Sequence, residues 1–282
     1  MNLLAISLLG LAMLDTGTVE RVTGLKGAWN EKEAVFKVSQ PRVDVKVTVD
    51  GWGMPPFMGL TSWAAFTATH NGEAMVMGDL VLFQDEVNPV MSSALDNGLA
   101  VTALHNHFFY DEPKVYFMHI GGEGNVSNLA IAVRRCLDSV ETIRAGNPTP
   151  AVRFGPPTPA TNAISSKKLE EILGAKGQSN AGMFKVVLGR KATMHGMEVG
   201  KDMGVNTWAA FAGTDDDALV DGDFAVTEDE LQKVLKSLRK TGINIVAIHQ
   251  HMTQEAPRMM FLHYWGRGRA EALAKALASA LP

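Results

Sequence analysis

Met58-Gly59-Leu60-Thr61-Ser62-Trp63-Ala64-Ala65-Phe66 is answered in the second half of the chain by Met203-Gly204-Val205-Asn206-Thr207-Trp208-Ala209-Ala210-Phe211. The correspondence continues outward at a nearly constant offset. Gly78-Asp79 and Asp85-Glu86 match Gly222-Asp223 and Asp229-Glu230, and Ala103-Leu104-His105-Asn106-His107 matches Ala247-Ile248-His249-Gln250-His251. Pro113, His119, Gly122 and Gly124 find partners in Pro257, His263, Gly266 and Gly268. Upstream, the stretch 19–27 resembles 169–177, and Phe36-Lys37-Val38 resembles Phe184-Lys185-Val186. A self-match of this extent identifies an internal duplication, and that fixes the architecture before any single element is assigned.

Between the copies Pro148, Pro150, Pro156, Pro157 and Pro159 exclude helix and central strand. The division expected is a signal-like segment at 1–13, a first repeat at 14–145, a Pro-rich linker at 146–163 and a second repeat at 164–282.

Periodicity supplies the elements of one repeat. Residues 43–49 alternate valine with polar residues, the pattern of a half-buried strand. Residues 63–69 and 74–83 read as strands. Residues 85–96 read as a helix stopped at Asn97-Gly98. In the second copy Thr227-Glu228-Asp229-Glu230 offers a capping box. Strands at 99–107 and 114–120 follow, then a helix from Asn125, whose counterpart covers 269–281. The expected unit is α-β-β-β-α-β-β-α. The fold class is α+β, with antiparallel-rich sheets covered by helices. Whether the copies share one sheet or form two lobes is open at this level.

Composition narrows the function classes. The 282 residues are 46% hydrophobic and 20% charged, enough for an ordinary core. Twenty-six basic and 30 acidic residues give a net charge of -4 without a basic block, which argues against nucleic acid as a partner. The single cysteine, Cys136, excludes an internal disulfide and lies in an apolar helical run, as a core residue would. The apolar start MNLLAISLLGLAMLD is too short to span a membrane and looks like the core of a secretion signal lacking its basic start. A periplasmic or secreted location is the expectation.

Six of the eight histidines fall in the paired motifs. In a strand, residues i and i+2 point to one face, so His105-Asn106-His107 and His249-Gln250-His251 each present two imidazoles side by side. His119 and His263, on the next strand, supply a third. Imidazole and carboxylate together suit a divalent transition metal, with zinc, iron or manganese favoured and copper retained because the 15 methionines include Met118, Met252, Met259 and Met260 near the clusters. The candidate ligands are His105, His107, His119, Asp111, His249, His251 and His263. Glu112 and Glu255, in the intervening turns, are candidate general bases or extra ligands. The His-X-His…Glu spacing also fits the first cupin motif, but two helices per repeat count against a cupin fold. Asp79 and Asp223 follow glycine and read as turn or cap residues. Gly121-Gly122-Glu123-Gly124 and Gly266-Arg267-Gly268 read as tight turns, and His70 and His195 as surface or loop positions.

The runs Asn30-Glu31-Lys32-Glu33, Phe36-Lys37-Val38-Ser39, Val47-Thr48-Val49-Asp50-Gly51, Met54-Pro55-Pro56-Phe57-Met58-Gly59-Leu60 and Ala103-Leu104-His105-Asn106-His107 resemble the LppY/LpqO family of bacterial proteins. The resemblance covers nearly the whole chain and implies export, some members being lipoproteins. This chain lacks the N-terminal cysteine that lipoprotein anchoring requires. The resemblance implies no reaction.

Three functions fit. The first is a soluble metal-binding protein with two pseudo-equivalent sites. The second is a metal-dependent hydrolase or oxygen-using enzyme with one active and one degenerate site and a small-molecule substrate. The third is a metal-free envelope interaction domain. No Ser-His-Asp elbow, P-loop or redox cysteine pair is present.

Overall fold

The computed structural model describes residues 14–155, 157 and 159–282, so the signal-like segment 1–13 lies outside the described residues. The first half contains α1 (Thr16–Thr23), β1 (Gly27–Asn30), β2 (Val35–Pro41), β3 (Thr48–Val49), β4 (Trp52–Gly53) and β5 (Thr61–Ala68). It continues with β6 (Ala74–Phe83), α2 (Gln84–Asp96), β7 (Ala100–His105), β8 (Asp111–Glu112), β9 (Val115–Gly124) and α3 (Val126–Gly146). The second half repeats this order: α4 (Ser166–Leu173), β10 (Gly177–Asn180), β11 (Met183–Gly189), β12 (Ala192–Met194), β13 (Met197–Val199) and β14 (Asn206–Gly213). There follow β15 (Ala218–Thr227), α5 (Leu231–Lys240), β16 (Asn244–His249), β17 (Glu255–Ala256), β18 (Met259–Gly268) and α6 (Ala270–Ala280).

The halves form one continuous sheet. Its order is β1-β2-β5-β6-β9-β7-β16-β18-β15-β14-β11-β10, which reads alike from both ends, with the seam between β7 and β16. The pairings along it are antiparallel. Two three-stranded sheets, β4-β3-β8 and β13-β12-β17, stand apart from it. Even unusual backbone positions are duplicated: Asp50 and Tyr110 have positive φ, and so do their counterparts His195 and Gln254.

One face of the large sheet is buried under the helices. Val76, Leu80, Leu82, Met118 and Ile120 pack there with Val87, Met91, Leu129 and Val133. Cys136 is buried among them, and burial pushes its thiol up to about 12, as suits packing rather than chemistry. On the other face lie two small clusters. One joins Val47, Leu60, Val81, Phe83, Val115 and Phe117, and its counterpart holds Val199, Val205, Ala225, Met259 and Phe261.

Several expectations are corrected. Of the alternating run at 43–49 only Thr48 and Val49 are strand, because Val47 turns down into the small cluster while Val43 stays 81% exposed. The strand expected at 99–107 ends at His105, so His107 lies beyond it, and His119 sits inside a ten-residue strand rather than at its end. The two glycine-rich runs are the last turns of no loop but the ends of β9 and β18, where Gly266 lies so close to Ile243 and Leu273 that a Cβ would collide. The proposed capping box at Thr227 is half present: Glu230 accepts the Thr227 N–H at 2.8 Å, but the helix begins at Leu231.

Both seam strands carry a bulge, between Val101 and Ala103 in β7 and between Ile245 and Ala247 in β16. A helix from the opposite half satisfies the backbone there. Buried Asn88 of α2 accepts the Ile245 N–H at 2.7 Å and donates to its carbonyl at 3.1 Å. Gln232 of α5 accepts the Val101 N–H at 2.9 Å and donates to its carbonyl at 2.8 Å. Truncation of Asn88 to alanine leaves two buried backbone groups unpaired, and the expected cost is about 2–3 kcal/mol in urea unfolding. A loss under about 0.5 kcal/mol would show that the clamp does not hold the halves together.

Candidate metal centre

Register brings the histidines of each half together on the helix-free face. Trp63 pairs with Asp79, Asp79 with His119, and His119 with Ala103. Trp208 pairs with Asp223, Asp223 with His263, and His263 with Ala247. At the seam Ile248 pairs antiparallel with Leu104, which sets His249 beside Ala103 and His105 beside Ala247. The two clusters therefore occupy neighbouring rows across the middle of one sheet. Alanines between them leave room for the imidazoles.

In the second cluster the His249 and His263 rings stack at 4.8 Å, and His249 and His251 lie tilted to each other at 5.1 Å. Ligand atoms of Asp223, His249 and His251 all lie within 4.8 Å of one another, the one such trio among the described residues. His251 Nε2 stands 3.3 Å from Asp223 Oδ2. The ring is positioned from both sides: it lies flat on Phe261 at 3.5 Å, and its Nδ1 is 3.2 Å from the Gly204 carbonyl. His263 Nδ1 likewise meets the Gly222 carbonyl at 3.4 Å. A carbonyl can only accept, so both contacts place a proton on Nδ1, and in the neutral ring that leaves Nε2 its lone pair.

The first cluster repeats this arrangement, though no trio of its ligand atoms falls within that 4.8 Å limit. His105 Nε2 and His119 Nε2 are 3.1 Å apart, His105 Nδ1 faces the Asn106 carbonyl at 3.4 Å, and His107 lies flat on Phe117 at 3.3 Å.

The carboxylates that face the imidazoles are Asp79 and Asp223, not the acids of the turns. Both lie in mid-strand, 8% and 2% exposed, rather than in the turn or cap expected from the preceding glycine. Asp111, expected as a ligand, is occupied at its own turn: Oδ2 accepts the Val115 N–H at 2.7 Å, and Oδ1 accepts from Lys114 at 3.0 Å. Glu255 accepts the Met259 N–H at 2.9 Å in the equivalent turn. Glu112 is exposed on β8, beside Thr48. The signal that could have found the aspartates is a duplicated Gly-Asp pair inside a largely apolar ten-residue strand.

Electrostatics separate this site from a solvated histidine patch. Asp223 Oδ1, Asp79 Oδ1 and His249 Nε2 are buried with no hydrogen-bond partner. Burial raises the Asp223 carboxyl above the ordinary 3.8, against the pull of His263, His251 and His249. Burial lowers His249, and also His107, below the ordinary 6.5. These two imidazoles are therefore held neutral in the fold while the unfolded chain protonates them. Their contribution to stability is fully present above pH 6.5 and is lost as pH falls through their lowered folded values. With chelator present, the melting temperature is expected to drop as pH goes from 7 to 5, and His249→Gln to flatten that drop. An unchanged profile in the variant would contradict the assignment.

Among the described residues no helix is long and apolar enough to cross a membrane. Among solved structures, the chain is similar to the crystal structure of a trimeric bacterial microcompartment shell protein PduB. Identity is 13% over 90% of this chain and 88% of that chain, and the TM-score of 0.22 is too low to bear on fold or function. No curated protein matches the chain. A family model matches twice, over residues 17–139 and 167–282, in keeping with the duplication, and the chain thus belongs to the family described as Domain of Unknown Function (DUF1259).

Proposed function

We propose that this protein binds a divalent transition metal at two pseudo-equivalent sites. The second site comprises Asp223, His249, His251 and His263, and the first Asp79, His105, His107 and His119. The observation that carries the reading is the pair of buried, unpartnered atoms Asp223 Oδ1 and His249 Nε2 in one cluster. A buried polar atom without a partner costs about 1–3 kcal/mol, and a bound cation removes that cost for both at once.

Two further features support it. Ligand atoms about 2.0–2.1 Å from a tetrahedral zinc lie about 3.3–3.4 Å from each other. The His251–Asp223 separation of 3.3 Å matches, and the His105–His119 separation of 3.1 Å is close. Secondly, a backbone carbonyl holds Nδ1 of His105, His251 and His263, the outer-shell arrangement that turns Nε2 toward a metal. Zinc, iron and manganese suit this N/O donor set, which lacks the soft sulfur ligands that copper(I) selects. Met118 and Met259 are buried, Met259 in the small apolar cluster, and offer no sulfur to a site.

Residence outside the cytoplasm and the resemblance to the LppY/LpqO family belong to the same proposal, carried by the apolar start and the quoted motifs. The test is a zinc titration of chelator-treated protein by calorimetry. Binding that His251→Ala removes at the tighter site and His107→Ala at the weaker supports the reading. Wild-type protein that takes up no zinc, manganese or iron overturns it.

A further inference from the structure

The second cluster opens into a cleft of about 640 Å³, within the range of small-molecule sites. Asp223 and His251 line it, together with Lys185, Lys201, Asn206 and Trp208. The Lys185 ammonium lies over the Trp208 ring, 4.1 Å from its centroid, and this contact directs a side chain that is otherwise free to wander. Lys201 sits on a 3-10 turn, its stem against Gly189. Neither ammonium has a carboxylate within ion-pair distance among the described residues. Lys176, at the rim, is paired with Glu170 at 2.7 Å.

The first half keeps part of this. Lys37 lies over Trp63 at 4.2 Å, the same contact. Pro56 and Phe57, however, stand where the second half has Lys201 and Asp202, and Phe57 is 98% exposed. The duplication has therefore placed an additional cation beside one cluster only. Asp202 partly offsets it at the cleft rim. The Asp223 carboxylate is turned inward, toward the imidazoles, and with a divalent cation there the inner end of the cleft is positive.

We infer that this cleft takes a small organic oxyanion, one carboxylate or phosphate group of which bridges the Lys185 and Lys201 ammonium groups and the metal of the second site. This rests on the metal reading for one of its three contacts. The lysines supply the other two. Two cations and a metal lining one cleft select an anion with several oxygens, because each ammonium needs an acceptor and the metal needs an oxygen ligand.

Zinc-loaded full-length protein is to be titrated calorimetrically with succinate and with inorganic phosphate, beside Lys201→Gln, Lys185→Gln and Lys37→Gln, with zinc content measured on each sample. The expected result is saturable binding of at least one probe, weakened about 10-fold by Lys201→Gln and by Lys185→Gln at unchanged zinc content, and unaffected by Lys37→Gln. The stronger probe says whether the head group is carboxylate or phosphate. Zinc retained with no probe bound, or binding indifferent to both cleft lysines, overturns the inference and leaves the metal reading standing. Protein that holds no zinc overturns the metal reading. The probes are then titrated into the metal-free chain, where binding lost in Lys201→Gln upholds the cleft and no binding refutes it.

Discussion

Asp223→Asn is expected to stabilise the metal-free protein and weaken the metal-loaded one. Burial raises the Asp223 carboxyl, so the fold disfavours its ionised form. The sign follows from linkage: an acid raised in the fold contributes stability below its ordinary 3.8, and that stability is lost as pH rises through the folded value. Asparagine removes the charge at similar volume. Its melting temperature in chelator should exceed that of the wild type at pH 7, and the difference should close as pH falls toward 3.8. With saturating zinc the order reverses. Loss of an outer-shell partner alone costs 10–100-fold in metal affinity, and a ligand is worth more, so the fall should exceed about 100-fold, or about 2.7 kcal/mol. A merely structural aspartate gives the opposite: lower stability without metal, and no change in zinc affinity.

The second large effect separates the halves by burial. Glu86 is fully buried, accepts the Phe83 N–H at 2.8 Å, and meets Arg42 at 2.7 and 2.9 Å and Arg144 Nε at 2.8 Å. Arg42 also donates to the Val81 carbonyl at 2.7 Å and pairs with Asp44. Arg144 pairs with Asp85 as well. Removal of Glu86 leaves two guanidinium groups, 5% and 6% exposed, each with one remaining carboxylate, Asp44 or Asp85, and without the buried acceptor they share. Glu86→Ala should cost about 3–5 kcal/mol, because it strands buried guanidinium donors and the Phe83 N–H without their acceptor. Its counterpart Glu230 pairs with Arg190 where both are more than a quarter exposed, and Glu230→Ala should cost about 1 kcal/mol or less. Equal losses in urea unfolding would contradict this account of the asymmetry.

What the sequence reveals and what it hides follow from range. The duplication, strand 74–83, the helix ending before Asn97 and the helix beginning after Asn125 depend on local pattern, and all of these stand in the structure. His105 with His119, and His249 with His263, come together as the spacing suggests. The aspartates were hidden because what an acid faces in mid-strand depends on its neighbours in the sheet. Asp223 meets His263 only through the pairing of β15 with β18. Asp111 and Glu255 misled because proximity in sequence does not say which carboxylates the backbone has already taken. The single continuous sheet rests on the contact of Leu104 with Ile248, between strands distant in sequence, which no local period encodes.

The most direct test of the central claim is elemental analysis of untagged protein, purified without added metal, beside His107→Ala, His251→Ala and the double variant. The account predicts one transition metal in stoichiometric amount, falling stepwise across the variants, with His251→Ala removing the more tightly held share. Protein that carries no metal, and takes up none when zinc, iron, manganese or copper is supplied, would contradict it.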